Sequence, residues 1–408
     1  MSLDTESRKK LEMKRLLYIF TGGRRSRFLA ARAGQEAPLE FLCGVTYLQS
    51  RGYEVDILEL SDLSPDQSSP AYIQLARQNA AMQRATGFTS TSHLFVDSIN
   101  TLNQYDAIIA VGDSVAFGIS HFALHGTVRP PMFGVAMGML LHTHLRVSAL
   151  PLVARARYLS RELYYRFAFG RYRKRRRLYR QLLEASSGML YFERSEYEMA
   201  RQMFPEFSKV MRCSPSCIDT DYWRPSLAQT GTASPRDVIL FIGNDRGRDF
   251  GLLLNIARRL PHYRFVFITN RIRQEQVSRN VTLMRGDWRT NLLSDVEIRR
   301  IVRDSAIVVL PMVLAHLRTL TSVALQAMAC EKPVLVSKTS GLWEPEIIDR
   351  EHVWLIHSGR LSEWCESIET LMRDSVVRER IGANARRLVE AQNNLTVLGS
   401  NVETLINQ

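Results

Sequence analysis

Short apolar runs alternate with helical patterns along most of the chain. Near the start, the strand pattern KRLLYIF is followed by the loop TGGRRSRF, a helical pattern in APLEFLCGVTYLQSRG and a second strand pattern, YEVDILEL. Strand, helix and strand in this order predict a parallel βαβ unit. The later apolar runs YDAIIAVGDS, PMFGVAMGM and SSGMLYF have the composition of buried parallel strands. The pattern therefore predicts a doubly wound α/β domain.

A small, polar stretch, SLAQTGTASPR at 226–236, separates this pattern from a second one. Beyond it, the strand patterns DVILFIG, YRFVFIT, SAIVVLP and KPVLVS alternate with helical patterns such as SDVEIRRIVRD and TSVALQAMAC. We therefore predict a first domain at 1–225, a linker at 226–236 and a second α/β domain at 237–390. A final helix at 391–408 is expected to pack back on the first domain. Two such domains predict a ligand cleft between them, at the carboxyl ends of their strands.

Composition excludes several classes of protein. The chain of 408 residues is 45% hydrophobic and 23% charged, which is typical of globular proteins, and it offers no apolar run long enough to span a bilayer. Its polar start differs from a signal peptide, and its five scattered cysteines fit a reducing compartment, so we expect a cytoplasmic protein. The motifs GxGxxG, GxxxxGK[ST] and HExxH are absent, which argues against dehydrogenases, P-loop kinases and zinc proteases.

Most of the net charge of +13 lies in one segment, residues 155–180, which holds eleven Lys or Arg and one acid. Four tyrosines recur there every seven residues, at Tyr158, Tyr165, Tyr172 and Tyr179. On a helix this spacing forms an aromatic stripe flanked by arginines. Such a helix is expected to lie on an anionic membrane, with aromatic rings in the interface and arginines on the headgroups.

We assign the membrane contacts of this segment to Tyr165, Phe169, Tyr172, Arg173, Arg175, Arg176 and Arg177. Two alternatives stay open. Arginines with stacking aromatics also suit single-stranded nucleic acid, although the confinement of the charge to one segment argues against it. The aromatic side chains could instead pack on the first domain, since aromatic stripes are usually core. The membrane interpretation implies peripheral attachment to a cytoplasmic face.

Another candidate site lies in residues 305–342, where a buried strand leads through a loop to a helix. The free N–H groups and positive dipole at a helix start favour phosphate binding. Hydroxyls at that start would add hydrogen bonds: Thr319, Thr321 and Ser322. One turn inside, Gln326 could bind the vicinal hydroxyls of a ribose. The alternative is a capped helix that packs Ala, Leu and Met into a core.

Four segments occur in order: IDTDYWRP, DVILFIGNDRGRDFGLLLNIARRL, AMACEKPVLVS and GLWEPEIID. Together they resemble the retaining glycosyltransferases of the GT-B fold in glycosyltransferase family 4, over about Met189 to Val389. The resemblance implies two Rossmann-like doubly wound domains that face each other across a cleft. It also implies that a sugar is transferred, with retention, from a nucleotide diphosphate donor.

The resemblance assigns roles to individual residues. Arg248 falls where the family places a basic residue against the donor diphosphate, and Arg246 lies nearby. The family's two glutamates, eight positions apart, are replaced here by Arg318 and Gln326. Gln326 can still bind the ribose, and Arg318 could bind a diphosphate or an acidic sugar. Cations would stabilise the charge of the leaving diphosphate, so the predicted catalytic residues are Arg248 and Arg318.

On the acceptor side, Gly22, Gly23 and Arg24 follow the first strand, where glycines allow close approach of a ligand to the backbone. A tight turn with solvated arginines would explain the same residues. No general base is assigned, and neither a metal nor a cofactor is expected. The expected partners are a nucleotide-sugar donor, a lipid-linked or cell-surface glycan acceptor and an anionic membrane, but no nucleic acid. The alternative function is a catalytically inactive GT-B-like partner or scaffold of another transferase.

Overall fold

The structure, a computed structural model, describes residues 14–140, 160, 163, 170–226, 237–245, 247–287, 292–313, 322–339 and 347–408. These residues form two sheets, each with six strands and one in each half of the chain. Every pairing between named strands is parallel. The predicted α/β architecture of two doubly wound domains is therefore confirmed.

The first sheet has the strand order β2-β1-β3-β4-β5-β6. Its strands are β1 (Arg15–Phe20), β2 (Glu54–Glu59), β3 (Ala107–Val111), β4 (Met132–Ala136), β5 (Gly188–Tyr191) and β6 (Met211–Cys213). Its helices are α1 (Arg25–Arg32), α2 (Val45–Ser50), α3 (Pro70–Thr86), α4 (Ile99–Leu102), α5 (Asp113–Leu124), α6 (Arg171–Ala185) and α7 (Arg194–Met203). Short 3₁₀ helices lie at Glu40–Leu42, Leu60–Asp62, Ser92–Phe95 and Pro205–Val210. Strands β3, β4 and β5 are buried throughout, as expected for a parallel sheet covered on both faces.

The second sheet has the strand order β12-β11-β10-β7-β8-β9. Its strands are β7 (Val238–Ile242), β8 (Arg264–Ile268), β9 (Val281–Met284), β10 (Ile307–Leu310), β11 (Val334–Ser337) and β12 (Trp354–Ile356). Its helices are α8 (Phe250–Arg259), α9 (Asp295–Asp304), α10 (Ser322–Ala329), α11 (Leu361–Arg373) and α12 (Ser375–Gln392), with a 3₁₀ helix at Gln274–Gln276. Strands β7 and β10 are neighbours at the centre of the sheet. The loops that follow them therefore emerge side by side.

The last helix, α13 (Leu395–Ile406), returns to the first half of the chain. Its Leu398, Val402 and Leu405 belong to the same buried cluster as Leu16 and Tyr18 of β1. Glu403 on this helix accepts a hydrogen bond from the Tyr47 hydroxyl at 3.2 Å. The C-terminal segment thus covers one face of the first sheet, which links the two ends of the chain.

The predicted linker at 226–236 lies outside the described residues except for its first position. Within the described ranges, no helix combines the length and the apolar character that crossing a bilayer requires.

Candidate functional site

The loop after β7 carries Arg248 to the carboxyl edge of the second sheet. Its backbone forms an antiparallel bridge with Met312, just beyond the end of β10. On either side of the bridge, Asp249 N–H donates to the Pro311 carbonyl at 2.9 Å and Val313 N–H donates to the Gly247 carbonyl at 2.8 Å. The loop is therefore fastened to β10, so Arg248 sits at the switch point between neighbouring strands where ligands bind in this architecture.

The guanidinium of Arg248 is buried at this edge, with only 4% of the residue exposed. Its Nε donates to Asp245 Oδ2 at 2.8 Å, and its Nη1 approaches the Met312 sulfur at 3.2 Å. Gly243 makes room for it, because a Cβ there would lie 2.8 Å from the Arg248 Nε. Burial lowers the pKa of Arg248, while Asp245 acts in the opposite direction. In the part of the chain that the structure describes, no acceptor is bound to Nη2, so this cation has capacity left for an anion.

Asp249 directly follows Arg248 in the sequence and could have formed an exposed ion pair with it. The structure instead uses Asp249 as the N-cap of α8, where its Oδ1 accepts from Leu252 N–H at 2.9 Å. Asp245 takes the role of counterion. The pair of Arg248 and Asp245 is thus partly buried rather than solvated, which makes it sensitive to any charge that enters the site.

Asn244, in the same loop as Arg248, connects that loop to its neighbours. Its Oδ1 accepts from the Thr269 hydroxyl at 3.0 Å and from Asn270 N–H at 2.6 Å, and its Nδ2 donates to the Gly286 carbonyl at 2.6 Å. These bonds tie the Arg248 loop to the ends of β8 and β9. The amide therefore holds the loop, a role that the sequence did not reveal.

The helix that the sequence analysis linked to phosphate and ribose is α10. Its first residue, Ser322, is exposed, whereas Gln326 is buried with 6% exposure. The Gln326 Nε2 donates a long hydrogen bond of 3.4 Å to Glu40 Oε1, which belongs to the first half of the chain. Four of the residues predicted to contact the donor lie outside the described residues: Arg246, Arg318, Thr319 and Thr321.

Glu40 joins the site from the first domain and was not predicted from the sequence. Its Oε1 accepts from the Trp223 Nε1 at 2.9 Å as well as from Gln326. Its Oε2 is buried and has no hydrogen-bond partner among the described residues. Burial raises the pKa of the Glu40 carboxyl to about 7, although the Trp223 hydrogen bond lowers it. A single acid within the apolar stretch APLEFLCG is the signal that could have revealed it.

The Gly-rich loop after β1 binds its own chain. The N–H groups of Arg24 and Arg25 both donate to Glu59 Oε1, at 2.6 and 2.9 Å. The Arg24 guanidinium donates to the Gly22 carbonyl at 2.5 Å and lies over the Phe20 ring. Arg24 is therefore buried rather than solvated, and the start of α1 already holds a carboxylate. Beside Gly22 the space is open, with no described atom within 4 Å of where a Cβ would stand.

The basic segment is described in part, as helix α6. Tyr179 is 1% exposed and packs inward, where its hydroxyl lies 3.0 Å from that of Tyr191. Tyr172 is half-buried, and Tyr165 and Phe169 lie outside the described residues. At Tyr179 the aromatic stripe thus faces the core of the first domain, as the packing alternative expects. Tyr179, the last tyrosine of the seven-residue spacing, therefore lies on the side of α6 that packs against the first domain.

The arginines of α6 divide into two groups. Arg171 and Arg175 donate to the Thr86 carbonyl, at 3.3 and 2.7 Å, and so bind the last residue of α3. The exposed cations on the outer surface are Arg173, Lys174, Arg176, Arg177 and Arg180, a set that we call the α6 basic face. Arg175 consequently stabilises the fold. The α6 basic face is exposed, but Arg176 also donates to the Met203 carbonyl and Arg180 is paired with Glu184 and Glu206.

Comparison with known proteins places this geometry in context. Residues 236–374 match a family model described as glycosyl transferases group 1. Among curated proteins, no sequence matches the chain.

Three solved structures illustrate the likeness of fold. HepE of Anabaena, in complex with UDP and glucose, is 13% identical, with a TM-score of 0.59 over 97% of this chain and 100% of that one. Sucrose-phosphate synthase of Thermosynechococcus elongatus is 15% identical, with a TM-score of 0.62 over 97% and 98%. The catalytic domain of starch synthase IV of Arabidopsis thaliana, bound to ADP and acarbose, is 11% identical, with a TM-score of 0.60 over 96% and 98%.

Proposed function

Because this chain is a glycosyltransferase, with a group 1 domain at 236–374 in a GT-B fold, we propose that it uses a nucleoside diphosphate sugar as donor. The sugar goes to a lipid-linked or cell-surface glycan, with retention of configuration. HepE was solved with UDP and starch synthase IV with ADP, which supports a nucleoside diphosphate in this fold. The two neighbours differ in base, so the donor test below uses more than one nucleotide.

One observation carries the donor proposal: the buried guanidinium of Arg248 at the carboxyl edges of β7 and β10. A fixed cation in a site of low dielectric interacts strongly with a diphosphate, and more strongly as the leaving group gains charge. Nη2 and the remaining hydrogen of Nη1 are the donors that this step would use. Arg248 is thus proposed to bind the diphosphate and to stabilise its departure.

The start of α10 would complete the donor site. Ser322 is exposed at the first position of the helix, and backbone N–H groups there can bind phosphate oxygens. We propose that the diphosphate is also contacted by Arg246, Arg318, Thr319 and Thr321. The ribose is proposed to contact Gln326. Cations and N–H groups would then balance the charge of the diphosphate, so the proposed mechanism includes no metal.

The acceptor is proposed to approach the first domain beside Gly22, where the space next to the backbone is open. Gly23 adopts a left-handed conformation, with φ of 77°, which helps to turn the chain from β1 into α1. In this turn Glu59 accepts from the Arg24 N–H group, and the Gly22 carbonyl accepts from the Arg24 guanidinium. We therefore propose that the acceptor approaches the backbone here and that Arg24 makes no contact with a phosphate.

The α6 basic face supports attachment to the cytoplasmic surface of an anionic membrane, where a lipid-linked acceptor would reside. Each basic residue near such a surface contributes roughly 1 kcal/mol. Arg180 is paired with Glu184 and Glu206, and the four other exposed cations suffice for reversible binding. In this proposal the membrane is bound by arginines and Lys174 rather than by Tyr179, which is part of the core.

The experiment for the donor is a binding panel of UDP, GDP and ADP with the wild-type protein, read by calorimetry and by thermal unfolding. We expect one of these nucleotides to bind and to raise the unfolding temperature, because a ligand that binds only the folded state stabilises it. Absence of binding by all three would contradict the donor proposal.

A further inference from the structure

Glu40, Trp223 and Gln326 meet where three parts of the chain converge. Glu40 lies in a 3₁₀ helix of the first half, Trp223 follows β6, and Gln326 lies on α10 of the second half. The Trp223 Nε1 donates to Glu40 Oε1 at 2.9 Å and so fixes the position of the carboxylate. Because the same oxygen receives the Gln326 Nε2 at 3.4 Å, the first domain reaches the side chain that we propose to bind the ribose.

The chemistry of this contact sets the orientation of the amide. Oε1 of Glu40 accepts a hydrogen bond from Trp223, and it remains an acceptor in both protonation states, because a proton on this carboxyl would sit on the unpartnered Oε2. It therefore binds the NH₂ end of a glutamine and not the carbonyl end. The Gln326 carbonyl oxygen, Oε1, then points away from Glu40, and no donor among the described residues binds it. A carbonyl oxygen in this position can accept from a hydroxyl, which is the group that a ribose offers.

We propose that Glu40 is a positioning residue that holds the Gln326 amide with its carbonyl oxygen toward a ribose hydroxyl of the donor. This inference rests on the proposed function, since it assumes a nucleoside diphosphate beside α10. It extends the donor site to a residue of the first domain, and it requires the two halves to be in contact for ribose recognition.

The geometry also explains why this chain has glutamine where the resembled family has glutamate. A glutamate at position 326 would bring a second carboxylate within about the same distance of Glu40, and above the raised pKa of Glu40 the two like charges would repel each other. The glutamine replaces this repulsion by a hydrogen bond. The unpartnered Oε2 of Glu40 is otherwise unfavourable in a buried site, which points to a role beyond stability.

The test compares a nucleoside diphosphate with its 2′,3′-dideoxy analogue, using UDP, or ADP or GDP if one of these binds better. The readout is the ratio of the two dissociation constants, with inorganic pyrophosphate as a control for the diphosphate contacts. For the wild type we expect a ratio of about three to ten, since a net hydrogen bond contributes about 0.5–1.5 kcal/mol. Glu40→Met keeps the volume of the side chain but removes the acceptor, so the ratio should fall to about one with pyrophosphate binding unchanged.

Exchange of the two residues provides a second test that does not depend on the stability of Glu40→Met. We expect Gln326→Glu alone to lose the discrimination, because two carboxylates then face each other. The double variant Glu40→Gln/Gln326→Glu restores a donor opposite a carboxylate and should recover the ratio to within about threefold of the wild type.

Three results would overturn the inference. These are a wild-type ratio of one, a folded Glu40→Met variant with the wild-type ratio, and a double variant that is no better than Gln326→Glu alone. All three leave the proposed use of a nucleoside diphosphate donor intact, since the diphosphate still binds; a wild-type ratio of one would remove only the ribose contact of Gln326 from that proposal. If no diphosphate binds the wild type at all, the proposed function fails first and the inference fails with it.

Discussion

The guanidinium of Arg27 binds the carboxylate of Asp295 through two hydrogen bonds, 2.7 Å from Nε to Oδ2 and 2.9 Å from Nη2 to Oδ1. Arg27 lies on α1, and Asp295 is the first residue of α9 in the other half of the chain. The side chains are only 5% and 14% exposed. A paired fork of this kind is strong and directional. We infer that it helps to hold the two halves in the arrangement that the structure shows.

Removal of Arg27 should loosen this arrangement. In Arg27→Ala, Asp295 keeps a largely buried charge without its partner, which costs about 3 kcal/mol in comparable pairs. We expect a lower free energy of unfolding and a larger radius of gyration by small-angle X-ray scattering. The control is Arg32→Ala, which removes an exposed arginine from the same helix. Equal radii of gyration for the two variants would contradict the inference.

The α6 basic face should bind anionic membranes. The variant Arg173→Gln/Lys174→Gln/Arg177→Gln removes three of its cations but leaves Arg175 and Arg176, which hold the Thr86 and Met203 carbonyls. We expect it to bind vesicles of phosphatidylserine and phosphatidylcholine about 100-fold more weakly, because each cation contributes roughly 1 kcal/mol. The matched control is Arg258→Gln/Arg259→Gln/Arg264→Gln, with three exposed arginines of the second half.

Cosedimentation with these vesicles, in buffers of increasing salt concentration, measures this effect. Binding by the wild type should weaken as salt screens the attraction. Equal vesicle binding by both triple variants would show that the α6 basic face is not the membrane surface.

Glu40 should make the protein less stable as the pH rises. Burial raises the pKa of this carboxyl from 4.5 to about 7. Between these values the folded protein binds a proton that the unfolded chain releases, so the free energy of unfolding falls with increasing pH. The contribution of Glu40 to the free energy of unfolding is fully present below about pH 4.5 and is lost as the pH rises through about 7. The expected loss is about 3 kcal/mol, at 1.36 kcal/mol per pKa unit.

The measurement is urea unfolding of the wild type and of Glu40→Gln at pH 5 and at pH 8. Glutamine does not titrate, so the difference in unfolding free energy between the two proteins isolates Glu40. We expect the unfolding free energy of Glu40→Gln, taken relative to that of the wild type, to be about 2–3 kcal/mol higher at pH 8 than at pH 5. A difference that stays constant with pH would contradict the burial of an ionisable Glu40.

The sequence predicted the layered fold well, because buried parallel strands appear as continuous apolar runs. The strand at Ile307–Leu310 and the helix at Ser322–Ala329 both fall inside patterns read from the sequence. What the sequence did not provide was the direction in which a periodic face points. The spacing that contains Tyr179 fits a membrane face and a core face equally, and only the position of β5 decides that Tyr179 meets Tyr191.

Polar partners across the chain were the other missing part. Glu59 lies 35 positions from Arg24, and Glu40 lies 286 positions from Gln326. Local patterns carry no information about such pairs, because they depend on how separate elements pack. Arg248 was found through the resemblance, whereas its counterion Asp245 and its support by Asn244 follow from the loop geometry.

The most direct test of the donor site is calorimetric titration of UDP, GDP and ADP into Arg248→Ala and into Arg259→Ala. Arg259 is an exposed arginine in the last turn of α8, so the two variants lose the same charge. For the nucleotide that binds the wild type, we expect Arg248→Ala to weaken binding about 10- to 100-fold, since charged hydrogen bonds contribute about 1.5–3 kcal/mol. Arg259→Ala should bind like the wild type. Equal affinity of Arg248→Ala and Arg259→Ala for that nucleotide would contradict the proposal that Arg248 binds the diphosphate.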